Sequence, residues 1–436
     1  MRLKTFTVSI LIILLLTACR EGSPPKTAPE QDSKLRIQAV NESEIKSGAG
    51  LIAVVGANVI DGKGGPVLSS ATVLIQNDRI LEVGRHDEIQ VPKEALVFEA
   101  EGKYLVPGLI DAHFHLDQLE GLPHIFLKRG ITSLRDPGAW IEAYDNERKT
   151  NDALPRLFLT GPHFDMFPPA YPKNSLIISD EEEAKMQVRK MAEKGASAIK
   201  IYYRLSLGSI RAVCEEAQRL GLPVTAHLEI SDALEVIRRG VDGIEHVTSF
   251  GLSLVEQPEA EAYRQRVLAD NNARREGRYE MWQHIDPKGP KAMAAYQLMA
   301  DRKTFFSPTL AAFEARDDAH TPVRVAGFEK MLEFTGEAYR QGVQIVVGSH
   351  SYVPYSEYGW AYHQEMELLQ ESGMSPEDIL QSATYQNARF FKVDDRLGSI
   401  ETGKIADLLL VESNPYEDIR NMRQINRVML NGRWIE

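Results

Sequence analysis

Eight short apolar segments run through the middle of the chain, and they constrain its fold more than any other feature. They occupy residues 108–113, 131–135, 156–160, 198–201, 224–227, 243–246, 305–308 and 344–347. Each is too short and too uniformly apolar to be an amphipathic helix, and reads as a strand buried on both faces. Helix-patterned stretches separate most of them, such as 181–194, 209–220 and 231–239. Strands alternating with helices build parallel sheets, and eight such units in a row predict a closed (β/α)8 TIM-type barrel at about residues 107–392. An open doubly wound sheet is the competing architecture. No Gly-x-Gly-x-x-Gly follows an early strand to support a dinucleotide site. With 436 residues, 43% of them hydrophobic, there is enough chain for a barrel and a smaller domain.

That smaller domain is expected from both ends of the chain. Residues 49–106 alternate apolar and polar positions between turns at Asp61-Gly62-Lys63-Gly64-Gly65 and Asn77-Asp78, and residues 393–436 alternate likewise. Neither half has enough strands to stand alone, so the two are expected to pair into one small β-sandwich. Residues 250–300 are longer than one crossover helix needs and rich in charge, with Tyr279, Met281 and Trp282 interspersed. They read either as a lid over the strand ends or as a solvated helical decoration.

The first residues read as a targeting segment. Arg2 and Lys4 precede an apolar run from Phe6 to Leu16, and Leu16-Thr17-Ala18-Cys19 resembles a bacterial lipobox. This predicts a signal peptide over 1–18, lipid on Cys19 and a flexible polar tether over 19–48. Arg20 after the cysteine resembles outer-membrane retention, with the protein facing the periplasm or the exterior. Cys214, the only other cysteine, falls on the apolar side of a helix and reads as a buried thiol. A net charge of -12 without a long basic block argues against nucleic-acid binding.

The chemistry-bearing residues gather at strand ends. His113 and His115 close the run Gly108-Leu109-Ile110-Asp111-Ala112-His113-Phe114-His115. At i and i+2 they face the same side of a strand, where two imidazoles can share one divalent cation. His227 ends Pro223-Val224-Thr225-Ala226-His227, and His246 ends Gly243-Ile244-Glu245-His246. Alone, either is a satisfied core histidine as readily as a ligand. Four histidines at three strand ends of one barrel point to a metal site.

With Gly130-Ile131-Thr132-Ser133-Leu134-Arg135-Asp136, Ala198-Ile199-Lys200-Ile201 and the tail from Leu397 to Leu408, these motifs resemble the amidohydrolase superfamily, in its imidazolonepropionase-like branch. The resemblance covers about residues 50 to 436. It implies a hydrolase that cleaves an amide-type C–N bond with a metal-bound hydroxide, on a small peptide, N-acyl amino acid or cyclic amide. Esters and lactones use the same machinery. It implies one or two divalent cations per chain, zinc being the natural choice for imidazole ligands. His113 and His115 would hold the more buried cation and His227 and His246 the second. Lys200 would carry an N6-carboxylate that bridges the two.

The eighth strand departs from the family. It reads Val347-Gly348-Ser349-His350-Ser351, with His350 where the wider superfamily has an aspartate. Three outcomes follow: His350 is the general base, His350 is only a metal ligand, or the centre is disabled and the chain is a binding or scaffold lipoprotein. Tyr202 or Tyr203 would donate a hydrogen bond to the substrate carbonyl, one of the two only, with strand parity favouring Tyr202. His163 is a candidate for the mouth of the site, and Arg135 with Asp136 for a structural ion pair beneath it. The aromatic run Tyr352, Tyr355, Tyr358 and Trp360 is a candidate wall, and His363 and Glu367 fall one turn apart on a following helix.

Overall fold

The computed structural model describes residues 35–116 and 121–436. The signal peptide, Cys19 and most of the tether lie outside the described residues. Each of the eight expected segments contains a strand: β1 (Leu109–Asp111), β2 (Ile131–Asp136), β3 (Arg156–Leu159), β4 (Ile199–Ile201), β5 (Val224–His227), β6 (Gly243–Glu245), β7 (Phe305–Ser307) and β8 (Gln344–Ile345). β1, β2 and β3 form one parallel sheet in that order. β4 to β8 form a second, also in chain order, extended at the β4 edge by His163–Asp165 and Ser175–Ile177. Main-chain hydrogen bonds join the two sheets at both ends. Ser197 N donates to Leu159 O at 2.8 Å beside β3, and Ala112 N donates to Val347 O at 2.9 Å between the ends of β1 and β8. Every residue of β2 and β5 is buried, as a parallel strand covered on both faces requires.

The helices start where the sequence offers caps. Asp180 accepts a hydrogen bond from Glu183 N to open Glu181–Glu193, whose first turn carries three glutamates against the positive end of the helix. Ser206 caps Leu207–Leu220 from Ser209 N, and Gly221 ends it in the left-handed conformation (φ 84°). Cys214 is buried on this helix, as expected.

Both chain ends meet in one eight-stranded sheet. Its path runs Arg433–Ile435, Ile425–Leu430, Leu408–Val411, Tyr104–Pro107, Leu51–Val59, Leu68–Gln76 and Arg79–Arg85, with Leu96–Glu99 also on Leu51–Val59. The junction is antiparallel, Leu408–Val411 against Tyr104–Pro107. Val54, Val73, Leu105, Leu408 and Met429 are buried together inside it.

One expectation is corrected here. The tether does not reach residue 48, because the chain packs from Leu35 onward. Leu35 N donates to Leu220 O, Val40 N donates to Leu157 O, and Ile37 and Ala39 are buried. An every-second-residue apolar pattern sits inside a polar composition there. Asn41 also exchanges hydrogen bonds with Pro155 O and Leu157 N, and Glu42 meets Arg156 at 2.7 Å. The long segment after β6 departs from one of its two readings. It forms Gln257–Ala269 and Arg274–Trp282 before the crossover helix Pro290–Arg302, and it buries Tyr263, Tyr279 and Trp282. A solvated decoration would leave those rings in water.

Candidate active site

A cavity of about 520 Å³ lies at the C-terminal ends of the strands. His113 and His115 reach it from the end of β1, Asp136 from β2, Lys200 from β4, His227 from β5, His246 from the end of β6 and His350 from the segment after β8. The five imidazoles form one cluster. The His113 and His115 Nε2 atoms stand 3.0 Å apart. The His350 ring stacks on His113 at 5.4 Å and meets His115 at 5.0 Å, while His246 lies 4.5 Å from His113 and 4.2 Å from His227.

Two sets of donor atoms lie within 4.8 Å of one another: His113, His115 and His350, and His113, Glu245 and His246. His113 belongs to both, and His350 joins the first pair. His227 belongs to neither, although its ring adjoins His246. Lys200 Nζ is ion-paired with Glu245 Oε2, whose carboxylate also meets His113 Nδ1 at 2.8 Å and accepts from Thr225 Oγ1 at 2.7 Å. Glu245 is fully buried, and burial alone would raise its pKa. The charge of Lys200, with hydrogen bonds from His113 and Lys200, outweighs that and holds it well below the usual carboxylate range.

Burial keeps His113, His227, His246 and His350 neutral. It pushes His113 down to about 4 and His227 to about 3, and it holds His246, His350 and His163 well below the ordinary value. Burial also lowers Lys200, against the pull of Glu245. A neutral imidazole offers the lone pair a cation needs. Neighbouring side chains fix which nitrogen faces inward. His246 Nδ1 meets Thr309 Oγ1 at 2.7 Å, and His227 Nε2 meets Glu229 Oε1 at 3.2 Å. His115 Nδ1 lies 3.6 Å from Asp136, which also accepts from Tyr144 OH and from the backbone N–H groups of Leu116, Gly138 and Ala139.

The backbone is strained where ligand-type residues leave their strands. His246 has φ 67° and His350 φ 57°, in the region that favours glycine. Hydrogen bonds hold both: His246 N to Ser307 O, His350 N to His113 O, and Ser351 Oγ to His115 O.

Several expectations resolve. β4 ends at Ile201, so Tyr202 and Tyr203 both lie beyond it, and only Tyr202 lines the cavity. Its ring stacks on His163 at 4.3 Å and lies 4.7 Å from His227. The Tyr203 hydroxyl is buried without a hydrogen-bond partner. His163 is therefore part of the wall rather than a loop residue at large. Arg135 and Asp136 form no ion pair, since neighbours on a strand point to opposite faces. The Arg135 guanidinium lies over Phe390 and Phe391, at 4.1 and 4.0 Å from their ring centres. Tyr352, Tyr355, Tyr358 and Trp360 do not line the cavity. The first three are exposed, and Trp360 packs on Arg129 and His363. His363 and Glu367 share the helix Ala361–Glu371, as expected.

Sequence reasoning assigned no role to Glu245, Glu229, Thr309, Arg274 or Arg278. Glu245 carried a signal, a carboxylate inside an otherwise apolar strand. Arg274 and Arg278, one turn apart in the segment after β6, carried none that separates them from a solvated helix face.

A model of the amidohydrolase family matches residues 104–435, and the chain belongs to that family. Among solved structures it is similar to a candidate prolidase from Bifidobacterium longum, with 26% identity and a TM-score of 0.67 over 89% of this chain and 95% of that one. A Xaa-Pro dipeptidase with bound methionine shares the fold, with 21% identity and a TM-score of 0.68 over 89% of this chain and 100% of that one. An adenine deaminase of Leuconostoc mesenteroides is 22% identical over 375 residues, 83% of this chain and 56% of that protein. The chain spans about half the length or less of the curated relatives it matches.

Proposed function

We propose that the protein is a metal-dependent hydrolase that cleaves an amide-type C–N bond in a small peptide, an N-acyl amino acid or a cyclic amide. The observation that carries this reading is the convergence of five imidazoles, Lys200 and Glu245 on one cavity. Ring nitrogens facing one another at 3.0 Å, with more imidazole beside them, are a donor set that fits a divalent cation such as zinc. His113, His115 and His350 would hold one cation; His113, Glu245 and His246 are the donors for a second, with His227 beside them. A cation held there supplies Lewis acidity, which activates water near neutral pH and polarises the scissile carbonyl.

The remaining roles fall to this chain's own side chains. Tyr202 donates a hydrogen bond to the substrate carbonyl as negative charge develops on it. Thr309 and Glu229 hold the His246 and His227 rings in orientation. His350, stacked on His113, acts as a ligand rather than as the base. Charge balance couples Lys200 to the metal load. As an ammonium it neutralises Glu245, whereas an N6-carboxylate would stand anion beside anion and require both cations.

The same reading takes the parallel strands as one closed barrel over 107–392, supported by the bonds Ser197–Leu159 and Ala112–Val347. It takes the terminal sheet as the β-sandwich, 250–300 as a wall that doubles as a lid, and 1–18 as a signal peptide. Cys19 would carry lipid that anchors the chain to the outer membrane through a tether over 19–34. The substrate is a small molecule or peptide, and self-association is open.

Elemental analysis of the mature chain tests the reading. About two cations per chain are expected, with amide hydrolysis abolished by chelation and restored by metal. No bound metal after metal- and bicarbonate-replete purification would overturn it and put the binding lipoprotein ahead.

A further inference from the structure

The helix Arg274–Trp282 brings two buried guanidinium groups to the cavity. Arg274 and Arg278 line the cavity and are 5% and 7% exposed. Arg278 is accounted for: it meets Glu229 Oε1 at 3.2 Å, and its Nε donates to Arg274 O at 3.0 Å. Glu229 is also held by Tyr263 OH at 2.6 Å and by His227 at 3.2 Å. Arg274 is left over. It hydrogen-bonds the Tyr171 hydroxyl, its Nε has no partner, and among the described residues no carboxylate pairs with it. Glu229 acts on it only through space, so a guanidinium touched by phenols alone gains from an anion that arrives to share the site.

We propose that Arg274 is the core of a subsite for the substrate's own carboxylate, on the amino-acid side of the scissile bond. The inference rests on the hydrolase reading and narrows it to N-acyl amino acids and peptides with a free C-terminus. Placement sets the reach. The Arg274 guanidinium lies 5.4 Å from the Tyr171 ring centre, Tyr171 is 5.7 Å from Tyr202, and Tyr202 is 4.7 Å from His227. Glu229 touches both Arg278 and His227. The subsite therefore adjoins the imidazole cluster, as an α-carboxylate adjoins the amide nitrogen it accompanies. Hydrolysis breaks the C–N bond: water gives hydroxyl to the acyl carbon and a proton to the nitrogen. The amino acid leaves with its carboxylate still on Arg274. A planar guanidinium beside a phenol suits a carboxylate, and charge-assisted hydrogen bonds of this kind discriminate by about 10–100-fold.

The test compares acids with their neutral amides on the full holoenzyme. Turnover is measured on N-acetyl-L-amino acids and the matching N-acetyl-L-amino acid amides. Binding is measured by calorimetry with free L-amino acids and their carboxamides as product-side probes. The expected result is a preference for the acid of about 10–100-fold in kcat/KM, expressed mainly in KM, and in probe binding. The preference falls toward unity in Arg274→Met and is partly kept in Arg274→Lys, which retains the charge. Equal turnover of acids and amides by the wild type, or a preference that survives Arg274→Met, overturns the subsite and leaves the hydrolase reading standing. Acid-selective binding that depends on Arg274, without any hydrolysis, sinks the hydrolase reading and leaves the subsite. Should Arg274→Met fail to fold, the wild-type comparison and Arg274→Lys still decide.

Discussion

Glu365 should make this protein less stable as the pH rises, and one substitution isolates the effect. Its carboxyl lies on Ala361–Glu371, fully buried, with one oxygen accepting from Ala311 N at 2.8 Å and the other without a partner. Burial raises its pKa to about 8 from an ordinary 4.5; the hydrogen bonds from Ala311 and Leu310 oppose the rise, and the charges of Glu314 and Asp111 add to it. The folded state therefore holds a proton that the unfolded chain gives up near 4.5. Below that pH both states are protonated and the contribution is complete. It declines as pH rises and is gone once pH passes about 8. That interval is about 3.5 units at 1.36 kcal/mol each, or about 5 kcal/mol. Glu365→Gln keeps an acceptor for Ala311 and cannot ionise. For a chain this long, roughly 1 °C of Tm corresponds to 1 kcal/mol. Most of that interval falls between pH 5 and pH 8.5, so the Tm of the variant relative to wild type should rise by about 4 °C across it, read by scanning fluorimetry in matched buffers. A difference that stays constant across that range would refute the argument, because the native carboxyl would then ionise as the unfolded one does. The residue bears on the site as well. Ala311 belongs to the turn Leu310–Phe313, directly after Thr309, whose hydroxyl fixes His246.

Two further outcomes follow from buried partners. Arg156 joins three parts of the chain, reaching Asp407 at 2.9 Å, Glu42 at 2.7 Å and Asn431 at 2.8 Å while 1% exposed. Arg156→Met should cost about 3–5 kcal/mol in urea unfolding, since it strands the buried Asp407 carboxylate; a loss below about 1 kcal/mol would show that the network is replaceable. Tyr202→Phe should lower kcat by about 100-fold with a small change in KM. Tyr203→Phe, outside the cavity, should stay within about threefold, and the reverse order would move the hydrogen-bond donor to Tyr203.

What was legible in the sequence follows from how far apart the interacting groups lie. The eight parallel strands could be read because each is a contiguous run whose burial on both faces is a local property. His113, His115, His227 and His246 could be read because a polar ring that ends an apolar run is conspicuous in place. The limit of β4 was less legible: strand parity favoured the tyrosine that lines the cavity, yet the strand stops at Ile201, before either one. At Ile37 and Ala39 the surrounding polar composition outweighed a short apolar alternation whose side chains turned out to be buried.

The charge partners were not legible, and they decide the chemistry. Lys200 finds Glu245 across 45 residues and Arg156 finds Asp407 across 251. Glu229 and Arg278 come from different segments, one after β5 and one from the long stretch after β6. No local pattern distinguishes Arg278, which has a carboxylate, from Arg274, which has none. The sequence can say that both sit on a helix, but only the folded chain shows which cation is left unpaired. Where the protein withholds an internal partner from a buried charge, the substrate is the natural source of one, so specificity in this cavity follows from a charge count that closes only in three dimensions.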